Sequence, residues 1–420
     1  MVNVRELVPA FLRCALIALL PLGTVSVSPA APQGQPTGWS GLRDIFEAPS
    51  GLSLRSPSAA LHAGTVVVAA NLFPIDTATQ VPTRPIIIVS ASGEHVDVPP
   101  GDFSFAFPKL LIGDDGVYHL LWAESSSRTT NPMLWPGRPL TSLWYSAYRN
   151  GAWSNPREIL HSRSLWWRAD AGTAVIDRRG QVHAVVLATP RSGFQPALVV
   201  LNGSQEWEDQ TVPDMLPAYA SIADMGRDSL LIAFTAPDRS VPSDGNSVFT
   251  TISSDAGATW SKPRLISRSG TTPASKPLAL ASRHGSTGVL WIQAKIGAPS
   301  VLRLVTSDDG GGRWMPNADA AIQGEILGIT AFTDSCGTTA ILSELRPSVR
   351  PVLAQTKWSG GNVSGSDLFP NEPGAFPTSV TNGSAHLIWV GVSGRGAGKL
   401  LHAQRLSVCA HLLPTRPRRR

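Results

Sequence analysis

The sequence predicts an all-β fold, a β-propeller of four-stranded sheets. Three observations carry this. Gly and Pro are abundant (38 and 35 of 420 residues) while charged residues make up only 15%, the composition of a turn-rich chain with a large core. One strand–turn pattern recurs along the chain, anchored at Gly64, Gly116, Gly180, Asp228, Gly285, Gly337 and Gly383, on average about 53 residues apart, the length of a four-stranded blade. A second, tighter polar turn follows several anchors. Seven anchors favour seven sheets, with six as the alternative.

The first segment, 1–30, reads as an export signal. Arg5 and Arg13 precede a short apolar stretch from Ala15 to Leu22, and Ser28-Pro29-Ala30 offers small residues for cleavage before Ala31. The stretch is shorter than a membrane span needs. A secreted or periplasmic protein is expected. A single propeller domain is expected over 31–412, and an Arg-rich tail over 413–420.

The net charge of +5 resides at the ends. The signal contributes one net positive charge, and Arg416, Arg418, Arg419 and Arg420 contribute four. The body between is neutral, which argues against a nucleic-acid surface. Outside the signal two cysteines remain, Cys336 and Cys409, enough for one disulfide in an exported chain.

Each repeat opens with a Gly-containing turn and an apolar strand, as in Asp115-Gly116-Val117-Tyr118-His119-Leu120-Leu121-Trp122 and Asn382-Gly383-Ser384-Ala385-His386-Leu387-Ile388-Trp389. His119, His183 and His386 occupy one repeat position, mid-strand among apolar neighbours, with no carboxylate or cysteine partner expected. They read as packed core residues, and no metal or other cofactor is expected. Trp153-Ser154-Asn155-Pro156-Arg157-Glu158-Ile159 and Trp260-Ser261-Lys262-Pro263-Arg264-Leu265-Ile266 read as fourth strands. Trp39-Ser40-Gly41-Leu42-Arg43-Asp44-Ile45 matches them with no strands before it. It is therefore expected to complete the last sheet and to remove an exposed edge.

The tight turns carry the most specific signal. Ser253-Ser254-Asp255-Ala256-Gly257-Ala258-Thr259-Trp260 and Ser307-Asp308-Asp309-Gly310-Gly311-Gly312-Arg313-Trp314 both fit S-x-D-x-G-x-x-W. This resembles the Asp-box, or bacterial neuraminidase repeat, of the sialidase superfamily. The turn chemistry is structural: Asp and Ser bond backbone groups, Gly supplies a positive φ and Trp anchors the turn. The resemblance implies that these turns lie away from the active face. It also implies an arginine triad, an Asp acid/base, a Tyr–Glu nucleophile pair and an R-I-P motif. Here Thr83-Arg84-Pro85 is a poor echo of that motif, and the four tyrosines (Tyr118, Tyr145, Tyr148, Tyr219) all precede the last three repeats. Sialidase chemistry is therefore not expected.

Chemistry is expected on the face built by the long, variable connections. Glu124, Glu344 and Asp238 are the candidate catalytic carboxylates, since glycoside hydrolysis uses a pair across the scissile bond. Trp166, Trp167, Arg168, Asp170, Arg239 and Arg346 are the candidate substrate-binding residues: sugars stack on indoles, and Arg pairs with acidic substituents. The expected partner is a glycan or a cell-envelope protein, and the protein is expected to be a monomer. A glycan-recognising module is favoured over a glycoside hydrolase or polysaccharide lyase, and over a structural scaffold.

Overall fold

The computed structural model describes residues 39–74, 86–101, 103, 106–124, 140–167, 173–189, 197–203, 207–212, 217–238, 245–268, 272–281, 286–294, 299–334, 337–346, 351–359, 362–369, 374–381, 384–392 and 398–406. Every regular element among them is a β-strand.

The first strand is β1 (Trp39–Glu47). A four-stranded sheet follows: β2 (Leu52–His62), β3 (Thr65–Pro74), β4 (Ile86–Ser90) and β5 (His95–Val96). Next come β6 (Ala106–Ile112), β7 (Tyr118–Glu124), β8 (Leu140–Arg149), β9 (Ala152–Trp153) and β10 (Arg157–Trp166), then β11 (Ala174–Ile176), β12 (Val182–Thr189), β13 (Ala197–Gly203) and β14 (Trp207–Val212). These two groups join into one nine-stranded sheet, because β10 pairs with β8 through Arg157–Leu165 and with β12 through Ser164–Trp166. The following sheets are β15 (Tyr219–Gly226), β16 (Ser229–Pro237), β17 (Asn246–Ser253), β18 (Arg264–Ser267), and β19 (Ala274–Ala281), β20 (Thr287–Gln293), β21 (Val301–Ser307), β22 (Met315–Pro316), β23 (Ala320–Ala321). The next is β24 (Glu325–Asp334), β25 (Gly337–Leu345), β26 (Pro351–Ser359) and β27 (Asn362–Leu368). The last is β28 (Gly374–Thr381), β29 (Ser384–Val392) and β30 (Gly398–Leu406), with β1 paired antiparallel to β30.

Burial follows strand position. The second strands are mostly apolar because other sheets cover both of their faces; in β20 (TGVLWIQ) every residue is buried. The outer strand β27 (NVSGSDL) is exposed except at Leu368. Where successive sheets meet, core clusters form. One joins Leu110, Leu120 and Trp122 to Val67, Ala69 and Ile88. Another joins Leu342 and Trp358 to Leu290 and Leu304.

The fourth strands share a local geometry that the sequence matched. The Ser154 and Ser261 carbonyls accept hydrogen bonds from Ser146 Oγ and Thr251 Oγ1, both at 2.7 Å. Their own Oγ atoms accept the amides of Ala147 and Ile252, both at 3.0 Å. The register then slips at Ile159 in β10 and at Ile266 in β18. In β1 it slips at the matching Ile45, with Ser40 opposite Gln404. A bulged residue redirects the side chains after it, and here one Arg-x-Ile segment carries the bulge three times.

A repeat in the inner strands was not read from the sequence. Ser56-Pro57, Phe107-Pro108, Lys276-Pro277 and Phe376-Pro377 each stand at a register shift near the start of a first strand. The residue before proline has a positive φ of 50, 51, 48 and 53° respectively. Proline offers no N–H to the ladder, so it is accommodated where the ladder is already broken. Beyond the bulges, seven strands (β2, β6, β11, β15, β19, β24 and β28) line one cavity of about 470 Å³. No ladder joins most of these inner strands to one another, and side chains tie several together. Leu110 N donates to Ser58 Oγ at 3.0 Å and Ala279 N to Ser221 Oγ at 2.7 Å, while the Thr330 and Ser379 hydroxyls lie 2.7 Å apart.

Candidate functional site

Strand polarity separates two ends of each sheet. Glu124 lies at the end of β7, opposite Ser142 of β8. Glu344 lies near the end of β25, opposite Val352 of β26. Asp238 directly follows β16. All three stand where second strands hand over to third strands, at the end opposite the S-x-D-x-G-x-x-W turns. The connections beyond them, 125–139, 239–244 and 347–350, lie outside the described residues.

Two of the carboxylates, Glu344 and Asp238, are engaged within their own sheets. Glu344 is 2% exposed and accepts a hydrogen bond from Arg346 Nε at 3.1 Å. The same guanidinium forks onto Asp367 at 2.8 and 2.9 Å. Asp367 first, and then Glu344, hold the Arg346 pKa above its ordinary value. Asp238 is 9% exposed and sits 3.3 Å from Arg268 Nε. Glu124 is half-buried. Among the described residues no contact brings any two of these three carboxylates together. Arg168, Asp170 and Arg239 lie outside the described residues, as do Cys336 and Cys409.

The two adjacent tryptophans divide. Trp166, the last residue of β10, is 61% exposed. Trp167 is 1% exposed and donates its indole N–H to the Phe107 carbonyl at 2.8 Å. The expectation of Trp167 as a sugar platform is therefore corrected. It packs in the core with Leu165 and Ala106, because its N–H reaches a carbonyl freed from the ladder at the Phe107 bulge.

Glu124 belongs to a polar row whose other members were not read from the sequence. Glu124, Ser142 and His161 face one another across β7, β8 and β10. The bulge at Ile159 turns Glu158 and His161 to the same side, and His161 Nδ1 lies 2.6 Å from Glu158 Oε1 and 3.3 Å from Ser142 Oγ. Ser142, Glu158 and His161 lie within strands rather than in the variable connections, so sequence position alone does not mark them.

The two S-x-D-x-G-x-x-W turns fold alike. Ser253 Oγ donates to Asp255 Oδ1 at 2.8 Å and accepts the Gly257 amide at 2.8 Å, while the Thr259 amide reaches Asp255 Oδ1 at 2.8 Å. Ser307, Asp309, Gly311 and Arg313 repeat this with distances of 2.7, 2.8 and 2.8 Å. Gly257 and Gly311 take φ of +86 and +94°. The Asp255 carboxyl is held below its ordinary range, chiefly by Thr259 and then Ser253, and Asp309 chiefly by Ser307. Trp260 and Trp314 pack against core clusters. These aspartates are occupied in shaping their turns.

No protein-family profile matches the chain, and no curated protein matches it in sequence. Solved structures do match. A PL25 ulvan lyase, a polysaccharide lyase solved with a bound -[GlcA(1-4)Rha3S]- fragment, has a TM-score of 0.55 at 11% identity, covering 87% of this chain and 95% of its own. Polysaccharide lyase Uly1 has a TM-score of 0.52 at 12% identity, covering 90% and 93%. A protein of unknown function from Dyadobacter fermentans DSM 18053 has a TM-score of 0.51 at 12% identity, covering 87% and 99%. At these identities the likeness is one of fold.

The fold is all-β and propeller-like. Within this propeller the repeated histidines are buried and bonded. His119 Nδ1 lies 2.8 Å from the Tyr145 hydroxyl. Burial lowers the His119 pKa to about 4 and raises that of Tyr145 to about 12. His183 lies between Asn202 Oδ1 at 2.8 Å and Asp177 Oδ2 at 3.2 Å. The expectation that these histidines lack a carboxylate is thus corrected at His183, since Asp177 arrives from the preceding turn. Asn202 in turn donates to the Gly257 carbonyl at 3.0 Å, so this chain of bonds links β12 and β13 to the tight turn after β17. No group of three or more metal-ligating side chains occurs among the described residues.

Proposed function

We propose that this protein is an exported, closed propeller of seven four-stranded sheets that recognises a polysaccharide on the face bearing Glu124, Trp166, Asp238 and Glu344. The observation that carries a binding role is the commitment of the nominated carboxylates. Glu344 and Asp238 are each neutralised by an arginine of their own sheet, whereas a hydrolase pair must face one scissile bond with space for sugar between. Among the described residues, the exposed aromatic at this end is Trp166, the last residue of β10. An exposed indole is suited to stacking a sugar ring. The seven strands around one cavity support the seven-sheet reading, and the β1–β30 pairing supports the ring's closure. Residues 1–30 support export, and Arg168 and Arg239 are proposed to join the binding face.

A second reading, a polysaccharide lyase, is favoured by the two lyase structures that match nearly end to end. One experiment tests both. The purified protein is offered uronic-acid polysaccharides, sialosides and aryl glycosides, with detection of unsaturated products, of new reducing ends and of binding by calorimetry. Binding without turnover, lost in Trp166→Ala, is the expected result. Unsaturated product would replace the binding reading with the lyase. No binding and no turnover from a folded sample would overturn both.

A further inference from the structure

We propose that the cleft between Arg149 and Arg157 is a second binding site, and that it takes a single acidic sugar, a uronate or a sulfated monosaccharide. The cleft has a volume of about 500 Å³, and Tyr145, Arg149, Trp153, Asn155 and Arg157 are among the residues that line it. A space of this size suits a small ligand. None of its described lining residues carries a negative charge.

Strand register brings the two arginines to one face. Arg157 opens β10 opposite Tyr145 of β8, so the two side chains are cross-strand neighbours. Tyr145, Ala147 and Arg149 alternate along β8 onto that same face. Tyr145 is 4% exposed, and its hydroxyl lies 2.8 Å from His119 Nδ1. Both guanidinium charges act on this hydroxyl. Burial raises the Tyr145 pKa to about 12, Arg149 and then Arg157 oppose that rise, and Asp115 adds to it. Asp115 Oδ2 lies 4.0 Å from Arg149 Nη2, with both side chains more than half exposed, so water screens that pair. Among the described residues no carboxylate pairs with Arg157.

The indole is fixed before any ligand arrives. Trp153 pairs with Tyr148 in the ladder, their rings lie 5.3 Å apart, and the indole N–H donates to the Asp97 carbonyl at 2.5 Å. Asn155, exposed at the rim, offers an amide to sugar hydroxyls. Guanidinium groups fork onto a carboxylate or a sulfate ester, and aromatic side chains pack against a sugar ring. A neutral sugar would leave both cations without a partner, and a bare anion would leave the aromatic wall unused. This site is separate from the face of Trp166. Arg157 and Trp166 stand at opposite ends of the 10-residue strand β10, roughly 30 Å apart.

One sugar residue held by two exposed cations binds on the order of millimolar, so the test uses ligand at that concentration. The full-length protein is titrated by ligand-observed NMR with glucuronate, glucose 6-sulfate, glucose and inorganic sulfate. Glucuronate or glucose 6-sulfate is expected to bind and glucose is not, and the tighter of the two acids identifies the substituent. Arg149→Gln and Arg157→Gln should each weaken that binding about tenfold at unchanged Tm, while Trp166→Ala binds the acid as wild type does. Inorganic sulfate binding as tightly as the acidic sugars would overturn the sugar assignment. No binding of either acid, or binding unchanged in both arginine variants, would overturn the site. Because Trp166→Ala reads the other face, failure of this site and failure of the polysaccharide reading are told apart.

Discussion

Trp39 donates its indole N–H to the side-chain oxygen of Gln355 at 2.7 Å across 316 positions of sequence. The indole belongs to the first described strand and the amide to β26 of the neighbouring sheet. Trp39 is 4% exposed and meets Phe332 edge-on at 6.4 Å between centroids. This seam therefore depends on the first strand being in place. Truncating a buried Trp costs about 3–5 kcal/mol, and Trp39→Ala is expected to fall in that range by urea unfolding. Gln355→Ala, which removes the bond but keeps the ring, is expected to cost about 1 kcal/mol. Equal losses would show that the bond, not the ring, holds the seam.

Acid is expected to weaken the same sheet. Arg43 Nε donates to His402 Nδ1 at 3.1 Å, so His402 carries its proton on Nε2 and presents it to His386 Nδ1 at 3.0 Å. Burial, and after it the Arg43 charge, lowers the His402 pKa to about 4 and also lowers that of His386. His119 is lowered to about 4 as well, by burial. A depressed folded-state pKa means that the unfolded chain takes up protons first. Stability is then fully present above the unfolded value of about 6.5 and is lost as pH falls toward 4. The unfolding free energy should be nearly level from pH 8 to 7 and fall between about 6.5 and 4. A flat profile across that window would contradict the assignment.

The tight turn at Gly257 couples two sheets. At φ +86° an added Cβ would stand 2.8 Å from Asn202 Oδ1, the atom that bonds His183. Gly257→Ala is expected to cost about 1–3 kcal/mol from left-handed strain and to leave glycan binding unchanged. Chemical denaturation and calorimetry on one sample would measure both. Lost binding at unchanged stability would place this turn in the functional face.

The neighbours Trp166 and Trp167 separate binding from folding. Trp166→Ala should abolish polysaccharide binding with the Tm unchanged. Trp167→Ala should destabilise by about 3–5 kcal/mol, as other buried Trp truncations do. If Trp166→Ala bound as wild type does, the stacking site would have to lie elsewhere on the face.

The two arginine-held carboxylates should differ in proportion to their burial. Glu344→Gln removes the buried carboxylate's charge-assisted bond while Arg346 keeps its fork onto Asp367, and is expected to cost about 1–3 kcal/mol. Asp238→Asn is expected to cost at most about 1 kcal/mol, because its partner Arg268 is 63% exposed and water screens that pair. Urea midpoints at constant m-value would check the order. A reversed order would point to a role for Asp238 beyond its ion pair.

The sequence by itself determined the all-β class, the strand–turn repeat and the tight turns. Those features arise from local chemistry: apolar runs, glycines at positive φ, and the repeated Trp-Ser-x-x-Arg-x-Ile shared by 39–45, 153–159 and 260–266. The inner-strand X-Pro bulges are also written locally, but they recur in only four first strands and so do not form part of the common repeat. What the tertiary structure alone decided was the identity of each side chain's neighbour. Trp166 and Trp167 look equivalent in sequence, yet one faces water and the other reaches the carbonyl of Phe107, 60 positions away. Glu344 read as a candidate catalytic carboxylate, and the fold sets Arg346 and Asp367 beside it; His183 read as a packed core residue, and the preceding turn brings Asp177 to it. Strand formation is set by neighbours along the chain, whereas the charge and accessibility of a functional group depend on residues that only packing brings within a few ångströms.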